Sequence, residues 1–346
     1  MVIFGLLVIF LIILTAPFAF RQVERNLEIF LLIMGLLSAL ISGEISLHLI
    51  QEALREPIPI SLAVLFFGWL FRWSRGWLRH LIHGLALKLS LPVFIFLMIM
   101  VLGLSASVIT AIIASLVLVE IISAIGLERR MKIHLVVICC FSIGLGAVLT
   151  AIGEPLSTIL VAKLREPPYE ATFFFPLKFL GFLVIPGIFM LGIVAMVYLI
   201  RKPSLKSAPE TEEIYESNGV ILMRAVKVFA FVMALLFLGQ GFRPVIDAYI
   251  IHLPGHILYW VNMTSAILDN ATLTAAEIGP SLSPQQIRYA IISLLISGGM
   301  LIPGNIPNII SAHKLNITSK EWAWTGIPIG LLFLFLYFII LLLLPG

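Results

Sequence analysis

Apolar stretches long enough to cross a hydrocarbon core of roughly 30 Å recur along the whole chain, separated by short charged loops. In lipid every backbone polar group must be satisfied inside the protein, so spanning segments are helices or closed barrels. The alternating pattern of barrel strands is not present. The fold class expected is therefore an all-α polytopic membrane protein. Composition agrees: 61% of the 346 residues are hydrophobic and 12% charged, with mean hydropathy +1.13. A soluble domain of that length would need a far more charged surface.

The spans read as 2–19, 27–43, 58–72, 91–126, 133–163, 172–200, 221–241, 256–279, 284–313 and 322–345, four of them (91–126, 133–163, 256–279 and 284–313) interrupted. Val2 to Phe20 is apolar with no basic residue before Arg21. A cleaved signal carries a basic n-region, so this segment reads as a retained first helix. The run from Gly43 to Pro57 places Glu44, His48, Glu52 and Arg55 among apolar residues at the spacing of an interfacial amphipathic helix. One polar linker, 201–220, divides the chain. The organisation expected is 1–57 as N-terminal helices, 58–200 as one repeat, the linker, and 221–346 as a second repeat.

The net charge of +4 and pI near 9.1 come from basic residues in the short loops, as the positive-inside rule requires, and not from a nucleic-acid surface. Arg21, Arg25, Arg72, Arg75, Arg79, Arg129, Arg130, Lys132, Arg201, Lys202 and Lys206 all fall on the cytoplasmic side if the N-terminus lies outside. The protein is then a multi-pass protein of the inner or plasma membrane. That scheme requires 91–126 to enter and leave on one side, as a re-entrant hairpin. Leu89 to Val119 carries no charge, and Ser105-Ala106-Ser107 lies near its middle. Each arm is then about 15 residues, roughly 22 Å, which is short for a span. The second half has a counterpart with its tip at Asp269-Asn270 and a stop at Gly279-Pro280.

The halves also match directly. Gly153-Glu154-Pro155 runs ten residues on to Lys163-Leu164, and Gly304-Asn305-Ile306-Pro307 does the same to Lys314-Leu315. The offset is 304 − 153 = 151. Two halves of opposite orientation, each with a hairpin and a broken helix, form the inverted-repeat pattern of transporters. Proline removes a donor and disfavours helix before it, so Gly153-Glu154-Pro155 and Pro303-Gly304-Asn305-Ile306-Pro307 should interrupt their helices. Non-helical backbone at that depth is tolerated where it lines protein or a wet cavity. The freed carbonyls can ligate a cation and the half-helix N-termini can face an anion.

Intramembrane carboxylates are functional candidates. Glu154 lies in the first break and Asp269 at the second tip. Glu120 and Glu277 read as interfacial or loop-paired. Ser105, Ser107, Thr110, Thr150, Ser157, Thr158, Asn270, Thr272, Asn305 and Asn308 supply neutral oxygens at the tips and breaks. The two tips are expected to approach each other near the bilayer midplane, flanked by Gly153–Pro155 and Gly304–Pro307. Cys139 and Cys140 read as small buried residues, and the seven histidines as interface residues. There is no phosphate-binding glycine loop and no nucleophile elbow. No enzyme activity and no bound cofactor are expected.

At these residues the chain resembles the ion transporter superfamily, which includes NhaD-type sodium/proton antiporters, ArsB-type arsenite permeases and divalent-anion/sodium symporters. Leu268-Asp269-Asn270-Ala271-Thr272-Leu273-Thr274, Gly299 to Ile309 and Gly146 to Pro155 carry the resemblance. More narrowly, the chain is similar to a prokaryotic group of predicted cation transporters. The resemblance implies a homodimer with a scaffold and a moving transport domain of hairpins and broken helices. It departs from the symporters, whose tips carry Ser-Asn-Thr. The activity expected is cation/proton antiport, sodium against protons. The ion site expected comprises Asp269, Asn270, Thr272, Glu154, Gly153, Thr150, Ser105, Ser107, Gly304, Asn305 and Asn308. Two acids at the site repel a dianion. A sodium-coupled anion or arsenite-type permease and a non-transporting membrane scaffold are the alternatives.

Overall fold

The computed structural model describes residues 2–20, 22–23, 26–62, 64–70, 72–73, 89–201, 218–250, 253–267 and 270–344. Most of the polar linker, Arg21, Arg25, Arg75, Arg79, His80, His83, His252 and Asp269 lie outside the described residues, as does the side chain of Thr272. Every regular element among the described residues is helical. Among the described residues seven helices are long and apolar enough to cross a membrane, and the protein is a multi-pass membrane protein.

The first helices are α1 (Val2–Ala19), α2 (Leu27–Ser42) and the amphipathic α3 (Leu47–Arg55). Ser46 caps α3, accepting from the Leu49 N–H at 3.1 Å, and residues 57–62 and 64–70 continue helical. Then come α4 (Leu91–Ala124), α5 (Arg129–Ala147), α6 (Pro155–Lys163) and α7 (Phe175–Arg201). The second half has α8 (Asn218–Val245), a π turn (Ile246–Ile250), α9 (Gly255–Val261), a 3-10 turn (Asn262–Ala266) and α10 (Asn270–Glu277). It closes with α11 (Pro284–Gly298), a 3-10 turn (Ile302–Gly304), α12 (Ile306–Leu315) and α13 (Ser319–Leu343).

Burial separates an inner from an outer shell. α5 is 83% buried over its apolar window, against 28% for α1. Large apolar side chains such as Phe4, Leu11, Leu332 and Phe335 point outward, where lipid tails are as apolar as they are. Helix α2 lies parallel to α8. Glu28 meets Lys227 at 2.8 Å, and Gly35 stands against the Ala234 carbonyl and Phe237.

Helix α4 is one run of hydrogen bonds broken at Thr110, whose φ is 74° and ψ 152°. Its first arm runs parallel to α5. The Ser142 hydroxyl donates to the Ile99 carbonyl at 3.0 Å, and the Thr150 hydroxyl donates to the Ser107 carbonyl. Its second arm runs parallel to α12, with Leu116 and Ile310 in one apolar cluster and Glu120 ion-paired with Lys314. Arg129, at the start of α5, donates to the Asn316 carbonyl at 2.8 Å just past the end of α12. Both ends of α4 therefore lie at the same end of the molecule as Arg129.

The segment α9–α10 behaves likewise toward the opposite end. Gly255 stands beside Gln286 and Tyr289, Asn262 donates to the Ser293 hydroxyl at 3.1 Å, and Asn270 lies against Gly298. That arm advances in parallel with α11. The return arm brings Glu277 back to Asn262 at 3.0 Å.

The position of the first break corrects the sequence reading. Ser105 to Ser107 remain helical, with Ser105 donating to Leu102 and Ser107 to Leu104. The chain turns three residues later, at Thr110. A positive φ outside glycine costs about 1–3 kcal/mol. It is held because the Ala111 N–H donates to the Gly153 carbonyl at 2.9 Å and the Ser107 carbonyl has Thr150.

Candidate functional site

The two breaks are built alike. Helix α5 ends at Ala147 and α11 at Gly298, and 298 − 147 = 151. The caps that start α6 and α12 are Glu154 and Asn305, and 305 − 154 = 151. Their backbones coincide, φ −156° and ψ 163° against φ −155° and ψ 148°. Gly153 and Gly304 each press against the last carbonyl of the preceding helix. A Cβ on Gly304 would lie 2.5 Å from the Gly298 oxygen, and one on Gly153 would overlap the Ala147 oxygen. Only glycine permits that close approach.

The carbonyls freed at the breaks are partly satisfied by side chains. The Thr158 hydroxyl donates to Ala151 at 2.6 Å and the Trp322 indole to Gly299 at 3.1 Å. Asn308 donates both amide protons, to Gly298 at 2.8 Å and Leu301 at 2.9 Å. Ser157, in the first turn of α6, donates to the Glu154 carbonyl at 2.8 Å.

Around the second break, Asn270 Oδ1, Ser297 Oγ and Asn308 Oδ1 are buried without a protein partner, as is the Asn270 amide nitrogen. Their residues are 5%, 0% and 1% exposed. The residues that carry them meet at the last turn of α11. Asn308 is bonded to Gly298, Asn270 has its amide against Gly298, and Ser297 is its neighbour in the chain. Leaving a buried acceptor unpaired costs about 1–3 kcal/mol, which a ligand with positive charge can offset. Among the described residues no group of three or more His, Cys, Asp or Glu side chains could hold a metal ion. The oxygen set suits a hard cation such as sodium and does not suit a soft one.

Of the expected ion-site residues, Asn270, Gly304 and Asn308 meet at the second break. Asn305 lies across from α5, its amide beside Gly144. Thr150, Gly153 and Glu154 form the first break, with Glu154 7% exposed. Ser105 and Ser107 bond back onto their own helix. Asp269 directly precedes Asn270 in the chain and lies outside the described residues.

Sequence reasoning missed Ser297, which has no proline or charge beside it as a marker. It also missed Glu28, 2% exposed and held by Lys227 at 2.8 Å with His313 at 3.5 Å. Glu120 and Glu277 are buried within the protein, 4% and 7% exposed. Glu120 is paired with Lys314. Its position within an otherwise uncharged run was the available signal. Cys139 and Cys140 are free and buried, and the Cys140 thiol lies 3.4 Å from Ser311 of α12.

No curated protein matches the chain. The chain does match, over residues 3–344, a family described as protein of unknown function, DUF1646, and with nearly its whole length covered it belongs to that family.

Proposed function

We propose that this multi-pass membrane protein is a secondary active transporter of the cytoplasmic membrane that exchanges sodium for protons. The observation that carries this reading is the set of three partnerless buried oxygens at a helix break, a break that recurs 151 residues away with the same cap geometry. We read α4 and α9–α10 as re-entrant hairpins entering from opposite sides, and the halves as inverted repeats. Each hairpin's return arm packs on the half-helix of the other repeat, α4 on α12 and α10 on α6. Such crossed packing around broken helices is the arrangement used for alternating access. Sodium sits among Asn270, Ser297 and Asn308, with Asp269 and Glu154 contributing charge. The protein performs no chemical conversion and works as a homodimer.

In this reading the Arg129 end faces the cytoplasm. A single cysteine at Asn218, beside the linker, should be labelled by an impermeant maleimide from the cytoplasmic side only, and one at Ser281 from outside only. Both positions are exposed, while Cys139 and Cys140 are buried. The opposite result would overturn the orientation and leave the repeat untouched.

Purified protein in proteoliposomes loaded with a pH dye decides the activity. An imposed sodium gradient should drive proton movement in the opposite direction. The half-helix N-termini of α6 and α12 are also ready-made anion sites, which favours a sodium-coupled anion permease as the second reading. Sodium-dependent anion uptake without proton counterflow would select it. No flux of any kind would leave a membrane scaffold.

A further inference from the structure

We infer that Glu277 is a proton-binding site, separate from the sodium site and coupled to it through the single short helix α10 (Asn270–Glu277). This deepens the antiport reading and rests on it for the identity of the cation.

The four buried carboxylates among the described residues are Glu28, Glu120, Glu154 and Glu277. Glu28 has Lys227 and Glu120 has Lys314. Glu154 caps a half-helix, where the helix dipole favours its charge. Glu277 has none of these. Its Oε2 accepts one hydrogen bond, from the neutral Asn262 amide at 3.0 Å, and its Oε1 has no partner. The Asn262 amide also reaches the Ala290 carbonyl at 3.4 Å and the Ser293 hydroxyl at 3.1 Å, while its own Oδ1 is partnerless. Asn262 and Ser293 are 0% exposed.

Among the described residues, no charged group on the elements around Glu277 forms an ion pair with it. Lys163 of α6 is exposed. The Arg288 guanidinium of α11 lies over the Phe179 and Phe182 rings. Tyr259 of α9 donates its hydroxyl proton to the Leu334 carbonyl, and His256 is exposed. Tyr289 of α11 packs against Tyr259 and Phe338. Arg243 lies in the last turn of α8 and is exposed. In the π turn Tyr249 is exposed, and the Asp247 side chain lies outside the described residues.

An ionised carboxylate buried with a single neutral donor is several kcal/mol uphill. Glu277 is therefore neutral in this conformation and carries a proton. From Asn270 to Glu277 is seven residues, about 10 Å along a helix. The two sites therefore do not share ligands. They share α10, with the cation at its first residue and the proton at its last. When sodium enters at Asn270 the Glu277 O–H bond breaks, the electron pair stays on the carboxylate and the proton passes to water. One positive charge enters the hairpin as another leaves. The Asn262 amide, already in place, stabilises the anion that forms.

The test uses full-length protein in detergent. In sodium-free buffer near neutral pH, infrared difference spectra of the wild type should contain the C=O stretch of a protonated buried carboxyl, lost in Glu277→Gln. Saturating sodium chloride should diminish that band and release protons equimolar with the chain, read by a pH dye in weak buffer. Glu277→Gln should bind sodium, seen as a sodium-dependent thermal shift, and release no proton. Asn262→Ala removes the donor to the anion and should move proton release to higher pH, which keeps the idea testable if Glu277→Gln does not fold. Wild-type proton release from Glu277→Gln would overturn the inference. So would loss of its sodium binding at every pH, which would make Glu277 a cation ligand. If the wild type shows the band and the release but no sodium-driven proton flux in proteoliposomes, the antiport reading fails and the proton site stands.

Discussion

Asp269→Asn should lower sodium-driven proton flux at low sodium roughly ten- to hundredfold while leaving a folded, extractable protein. Asp269 precedes Asn270, whose amide lies against Gly298 at the end of α11 with neither side-chain atom satisfied by protein. The side chains that meet there, Asn270, Ser297 and Asn308, are neutral. A sodium ion bound only by neutral oxygens in a buried site keeps its full charge, and an adjacent carboxylate offsets it. A charge-assisted contact is worth about 1.5–3 kcal/mol. Its loss should weaken sodium binding roughly ten- to hundredfold and exchange at low sodium by a similar factor. Asn270→Ala and Asn308→Ala should each weaken binding less, by roughly tenfold. Asn308→Ala should also lower the melting temperature, because Gly298 and Leu301 lose their donors. Initial rates of sodium-driven proton flux across a sodium titration provide the measurement. Unchanged rates in Asp269→Asn would remove the cation site from this tip.

The largest effect on stability should come from the ion pair between Glu120 and Lys314, whose side chains are 4% and 3% exposed. It ties the return arm of α4 to the end of α12. Removing one partner of a buried ion pair typically costs about 3–5 kcal/mol. Glu120→Gln and Lys314→Met should each destabilise by that order. The double variant should recover most of the loss, since replacing a buried pair by neutral groups is often close to neutral. Thermal unfolding in detergent of the wild type, both singles and the double closes the cycle. Additive losses in the double variant would mean that the two side chains do not act as a pair.

The membrane class, the helical content and both breaks were legible in the residues. Proline and glycine act through their own backbone, so Gly153-Glu154-Pro155 and Pro303-Gly304-Asn305-Ile306-Pro307 interrupt their helices wherever they are placed. The 151-residue offset was legible for the same reason, since it is carried by those residues and by the Lys163-Leu164 and Lys314-Leu315 ends. Thr110 was not legible. Its dihedrals are set by Gly153 and Thr150, some 40 residues on, and a threonine by itself gives no sign of a turn. The same holds for the carboxylates. Sequence spacing left Glu120 and Glu277 as interfacial or loop-paired acids, because each stands near the end of an arm. Their different roles depend on what packs alongside, a lysine 194 residues away for Glu120 and a lone amide on the opposite arm of its own hairpin for Glu277. Charge and hydropathy along the chain determine which segments enter the membrane. Which buried acid meets a counter-ion there is decided only when the two halves cross.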